Sequence, residues 1–190
     1  MSVYIHNHIY VCITLIQCLL VPAVYRHIIA VALGNEVLVY DACSGVQLRR
    51  LCGHVESVAS VAFAARGSDS CFLLSGGWDN RLILWDVVSG GPVVCVRDAH
   101  RASISAVALN AHLAVSCSWD KDIKVWLLTP LHLGAKEGGH EEVRELATLR
   151  GHAFQVNAVV ISGDGRVLAS GSSDNCIKVS RTIHSTPYCV

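Results

Sequence analysis

The sequence predicts an all-β chain of repeated, antiparallel four-stranded sheets, and three observations carry the prediction. One block of apolar character recurs four times without a gap, each copy is split by a short polar turn, and a His stands upstream of three of the four copies, followed each time by an apolar stretch that ends nine residues after it. Repetition of a hairpin at a regular pitch marks an architecture assembled from one supersecondary unit, in which neighbours bury each other's apolar faces.

Taken in order, the chain opens with residues 1–10 as an N-terminal extension. No Asp, Glu, Lys or Arg precedes Arg26, and Ile9 to Tyr25 is nearly all apolar. That run is interrupted by Thr14, Gln17 and Pro22, falls short of the ~20 residues a helix needs to cross a bilayer, and has no basic segment in front of it. Leu15 to Pro22 (LIQCLLVP) is therefore read as the first strand of the leading unit, with a membrane anchor over residues 9–25 as the competing reading.

The repeated block is clearest from Phe72 to Asp86 (FLLSGGWDNRLILWD). His27 to Asp41 (HIIAVALGNEVLVYD), Leu113 to Leu127 (LAVSCSWDKDIKVWL) and Val167 to Arg181 (VLASGSSDNCIKVSR) lie over it residue for residue. Two apolar halves around a small polar turn predict a hairpin. The turn carries Asp79, Asp120 or Asp174 in three blocks, and the second half ends in Tyr40, Trp85, Trp126 or Ser180. Gly53-His54, Ala99-His100 and Gly151-His152 precede the last three blocks, each followed by an apolar stretch that ends at Phe63, Leu109 or Ile161 in the same register. The unit after His100 is longer because Leu128 to Glu142 (LTPLHLGAKEGGHEE) is inserted, a stretch with the composition of a solvated surface loop.

The ordered recurrence of Gly-His, an apolar strand, Ser-x-x-x-Asp and a strand ending in Trp-Asp resembles the WD-repeat β-propeller family. The resemblance implies a partial propeller of about four blades, over roughly 11–53, 54–99, 100–151 and 152–180, with 181–190 a non-repeat tail. It also implies a structural set of side chains in each blade, which falls here on His54, Ser75, Asp79 and Trp85, on His100, Ser116, Asp120 and Trp126, and on His152, Ser170 and Asp174. In this reading the His N–H, Ser O–H and Trp indole N–H together supply the donors that a buried Asp requires. The leading unit has Ala30 and Gly34 in place of Ser and Asp, and the last has Ser180 in place of Trp and no recognisable outer strand after it. WD propellers are most often seven-bladed in the family resembled, so the expected shape is an open arc and the chain reads as a fragment of a longer propeller.

A Ser, a His and an Asp in proximity also suggest a hydrolase. Catalytic sets occur once per site, whereas this one recurs at the repeat pitch, and no GxSxG elbow surrounds either Ser, so no catalytic residue is expected. His6 and His8 near Cys12, and His132 with His140, lack the paired spacing of a structural zinc site. No metal or cofactor is expected.

Composition bounds what remains. Hydrophobic residues make up 52% of the 190, enough for a packed core rather than a disordered chain. Fifteen Lys and Arg balance fifteen Asp and Glu, which disfavours a nucleic-acid partner bound by bulk charge. The nine Cys contain no CxxC pair, and most sit in apolar runs, the pattern of reduced thiols in an intracellular protein, cytoplasmic or nuclear. The resemblance implies a non-enzymatic scaffold for protein–protein interaction, with Trp78 and Trp119 beside the structural Asp residues, and Ser57, Ser103 and Gln155 three residues after each His, as partner-binding candidates. The alternatives are a membrane-anchored protein and a non-functional truncated product of a longer propeller gene. Open blade edges add self-association to the expected contacts.

Overall fold

The computed structural model describes residues 2–5, 9–12, 22–25, 27–66, 70–128, 143–182 and 188–189. Among them every regular element is a strand. Strands β1 (Ser2–Ile5) and β2 (Ile9–Cys12) form a separate two-stranded antiparallel sheet. Four four-stranded sheets follow, each pairing its strands in chain order. The first holds β3 (Pro22–Tyr25), β4 (Ile28–Leu33), β5 (Glu36–Asp41) and β6 (Gln47–Cys52). The second holds β7 (Val58–Arg66), β8 (Ser70–Gly77), β9 (Leu82–Asp86) and β10 (Gly91–Val96). The third holds β11 (Ile104–Leu109), β12 (Leu113–Ser118), β13 (Ile123–Leu128) and β14 (Val143–Leu149). The fourth holds β15 (Val156–Ile161), β16 (Val167–Ser172), β17 (Ile177–Arg181) and β18 (Tyr188–Cys189).

The second and third sheets are apolar on both faces because each is sandwiched by two neighbours, and the period-two alternation sorts side chains to one neighbour or the other. Val37, Val39, Leu51, Leu73, Ile83 and Trp85 fill the space between the first two sheets. Leu74, Leu82, Leu84, Ile104, Val107 and Trp126 fill the next, and Val115, Ile123, Val125, Leu149, Val159 and Leu168 the last. At Gly76 the backbone runs so close to the third sheet that a Cβ would stand 2.5 Å from the Ile104 side chain, so the absent side chain sets how tightly the two sheets stack. The first strand of sheets two, three and four carries a bulge at the same place, at Val58/Ser60, Ile104/Ala106 and Val156/Ala158. The packing runs from sheet to sheet without closing, and the outer face of the fourth sheet is exposed at Val160, Val167, Ile177 and Val179.

Four expectations are corrected by this arrangement. The first strand of the leading sheet is Pro22–Tyr25, not Leu15 to Pro22, whose other residues lie outside the described ones. Pro22 thus opens this strand instead of ending it, and a proline is tolerated at the first position of an edge strand, where its missing N–H breaks no ladder. Residues 11–12 belong to β2, outside the leading sheet. The fourth sheet does have an outer strand, with Tyr188 opposite Val179 and Cys189 opposite Lys178; two residues paired through the backbone are too short to show alternation. Arg181, assigned to the tail, ends β17 opposite Val167.

The stretch read as an anchor contributes β2 and β3, and no helix among the described residues is long and apolar enough to cross a membrane. Residues 129–142 of the inserted loop, with His132 and His140, lie outside the described residues, as do His6 and His8.

Candidate functional site

In the second, third and fourth sheets the segment before the first strand meets the hairpin turn of the same sheet, which brings His54 to Asp79, His100 to Asp120 and His152 to Asp174. In the second sheet His54 Nδ1 lies 2.9 Å from Asp79 Oδ1, and its Nε2 2.8 Å from Ser75 Oγ. The Trp85 indole Nε1–H donates to that same Ser75 oxygen at 2.8 Å. The third sheet repeats the chain, with His100 Nδ1 to Asp120 at 3.0 Å, His100 Nε2 to Ser116 at 2.8 Å and Trp126 Nε1 to Ser116 at 2.9 Å. In the fourth, His152 lies 2.8 Å from Asp174 and 2.9 Å from Ser170, and no indole follows.

The two ends of the chain constrain its protons. An indole N–H can only donate and a carboxylate can only accept. In the second sheet the Ser75 oxygen therefore accepts from Trp85 and Asp79 accepts from His54 Nδ1–H, and a neutral His54 imidazole leaves Nε2 to accept the Ser75 O–H. Burial pushes His54 below its ordinary pKa, with the hydrogen bond and charge of Asp79 opposing, which suits that form.

Only the His of the three expected donors reaches the carboxylate. The remaining acceptor positions are filled by backbone N–H groups, Val55 at 2.9 Å and Arg81 at 3.1 Å on Asp79, and Arg101 and Asp122 on Asp120. The sequence does not show these partners because any residue type supplies an N–H. Burial alone would raise the Asp120 carboxyl, but the bonds from His100, Arg101 and Asp122 outweigh it and hold the group well below the usual carboxylate range. Asp174 is held low in the same way by Ala153, His152 and Cys176 against desolvation.

These chains have the connectivity of a hydrolytic triad but not its access. Ser75 and Ser116 are fully buried, and the oxygen a substrate would need is already bonded to an indole. Among the described residues no group of three or more His, Cys, Asp or Glu is placed to hold a metal ion.

Outside the chains, one rim gathers the residues singled out as contact candidates. Trp78 N–H donates to Ser57 O, Trp119 N–H to Ser103 O and Ser173 N–H to Gln155 O, at 2.9, 3.0 and 3.0 Å. Each bond ties the turn that carries the Asp to the loop that carries the His. The two indoles, 42% and 46% exposed, lie with ring centroids 6.2 Å apart and planes tilted by 42°. Ser103 Oγ donates to Trp78 O at 3.4 Å, and Gln155 is exposed on the same rim. Sequence reasoning missed Val55 and Phe154, both exposed. Their signal was position, since they stand one and two residues after a His. Lys121 Nζ lies 6.0 Å from the Phe154 ring centroid.

The sequence matches the WD domain, G-beta repeat family over residues 45–86, 91–126 and 143–179. It is similar to the small ribosomal subunit protein RACK1y of Oryza sativa subsp. japonica, with 33% identity over 68% of this chain and 49% of that protein. It is also similar to Protein FIZZY-RELATED 1 of Arabidopsis thaliana, with 30% identity over 85% of this chain and 31% of that one. A chain in a crystal structure of the mitotic checkpoint complex superimposes with a TM-score of 0.74 and 26% identity, covering 90% of this chain and 50% of its own length. The chain thus spans about half or less of the length of these relatives.

Proposed function

The chain belongs to the WD-repeat family, and from that premise we propose that it is a non-enzymatic scaffold that binds other proteins through the rim carrying Trp78 and Trp119. The observation that carries the reading is the tilted indole pair, held half-exposed on turns that backbone hydrogen bonds tie to neighbouring loops. A rigid, exposed aromatic pair loses little conformational entropy on contact, and Trp is enriched among the few residues that dominate interface energy. Ser57, Ser103 and Gln155 offer polar contacts beside the pair, and Val55 and Phe154 extend its apolar area. Two relatives point the same way in kind, since one belongs to a mitotic checkpoint complex and another is a small ribosomal subunit protein.

The proposed location is intracellular, cytoplasmic or nuclear. Cys71 and Cys117 are buried, and burial pushes the Cys117 thiol up to about 11, so it stays a protonated, unreactive hydrophobe.

The test is quantitative affinity capture with wild-type chain and with Trp78→Ser, Trp119→Ser and the double variant, after thermal unfolding has shown all four equally folded. Partners lost from the double variant, with each single change costing roughly 2 kcal/mol or more of affinity, support the rim. An unchanged partner set refutes it.

A further inference from the structure

The fourth sheet retains everything that holds a tryptophan in the second and third sheets except the tryptophan. In the second sheet the Trp85 ring is buried against Val37, Leu51 and Ile83, and a Cβ on Gly53 would stand 2.9 Å from its edge. At the equivalent place in the fourth sheet the lining of a pocket includes Ile123, Leu149, His152, Ser170, Lys178 and Ser180. Ile123 and Leu149 stand where Val37 and Leu51 stand, Gly151 repeats Gly53, and Ser180 occupies the position of Trp85.

Polar positions are kept as well. Ser75 and Ser116 each accept an indole N–H. Ser170 is equally buried and equally bonded to its His, yet no indole in the chain reaches it. Lys178 holds the place of Lys124, whose Nζ lies 5.5 Å from the centroid of the Trp126 ring, so a lysine there is compatible with an indole beneath it and attracts its face. Lys178 Nζ instead donates to Gly151 O, and the Arg150 side chain is largely exposed. A ring entering the slot must displace those two side chains, breaking the Lys178 bond to Gly151 O.

We propose that the slot beside Ser180 is a binding site for an indole ring supplied from outside the chain, its N–H donating to Ser170 Oγ and its face lying under Lys178. The ring comes either from a free indole or from a tryptophan side chain of another polypeptide; the chemistry recognised is the same.

The experiment titrates the full chain with free indole and with N-acetyltryptophanamide, following heat release and the unfolding temperature. Saturable binding of both marks a slot that admits a peptide-borne tryptophan, and binding of indole alone marks a small-ligand site. Indene has the same shape without the N–H, and Ser170→Ala removes the acceptor; either change should weaken binding roughly three- to tenfold, the worth of one hydrogen bond. Ser180→Trp should raise the unfolding temperature and abolish binding by filling the slot internally. The indene comparison needs no variant, so a Ser180→Trp chain that fails to fold leaves the test intact. Absence of saturable indole binding, equal affinity for indene, or binding that survives in a folded Ser180→Trp chain would overturn the proposal.

Discussion

At the scale of single residues, the Asp of each polar chain holds the most bonds, and its removal should therefore cost the most. Asp79→Ala or Asp120→Ala strips the acceptor from a buried imidazole and from two backbone N–H groups, and we expect a loss of roughly 2–4 kcal/mol by thermal or denaturant unfolding. Ser75→Ala breaks two neutral bonds but leaves no buried charge, so its cost should be smaller. An Asp variant as stable as wild type would mean that the chain of bonds does not stabilise the sheet. Acid should act on the same groups. Asp120 binds its proton more weakly folded than unfolded, so the unfolded state takes up protons first and stability falls as pH drops below about 3.9 toward the folded value. His54 is also held below its ordinary pKa, so its contribution is complete above about 6.5 and is lost on acidification below it. The unfolding temperature should thus decline in two stages between neutral pH and pH 3, and Asp120→Asn should flatten the lower stage.

At the scale of the element, the hairpin turns carry a cost that differs among sheets. Asn80, Lys121 and Asn175 all have positive φ, at 61, 77 and 62°, in the last position of a three-residue turn that needs a left-handed residue. Asn tolerates this conformation and Lys does so poorly. Lys121→Asn should therefore stabilise the third sheet by up to about 1 kcal/mol, less whatever the contact with Phe154 contributes, and a loss of stability would show that this contact outweighs backbone strain. In the fourth sheet Ser180 leaves the polar chain one donor short, so Asp174→Ala should cost less than Asp120→Ala in parallel melts. These hairpins were legible in the sequence because repetition multiplies a weak alternation signal and fixed His, Ser, Asp and Trp offsets set its register. The pair β1 and β2, the start of β3 and the two-residue β18 were not, since short edge strands pair through the backbone and leave almost no side-chain pattern. The order of bonds from Trp to Ser to His to Asp was hidden for a related reason: spacing brings four side chains together but does not say which atoms meet.

For the whole molecule, the question is what covers the outer face of the fourth sheet. Register places Ala158, Gly171 and Ile177 in one cross-strand row and Val160, Ala169 and Val179 in the next. The corresponding row of the second sheet, Ser60, Gly76 and Leu82, is pressed against Ile104 and Val107 of the third. Ile177 is 62% exposed where Leu82 is 1% and Ile123 3%. Gly171 makes the same point through its backbone, since a Cβ added there meets nothing within 4 Å, whereas one on Gly76 would collide with Ile104. The fourth sheet thus keeps a surface shaped for another sheet. A sheet face of a few hundred Å2 left in water forfeits, at ~25 cal/mol per Å2, on the order of 5–10 kcal/mol, comparable with the whole stability of a domain. The isolated chain should consequently associate or loosen rather than stand alone, and light scattering after size exclusion should show a dimer, larger species or a dye-binding expanded state. Charges placed on the exposed row, as in Ile177→Lys with Val179→Glu, should shift that distribution toward monomer without altering the polar chains on the opposite face. A compact, cooperatively unfolding monomer of the wild-type chain would show that the open face costs less than its area implies.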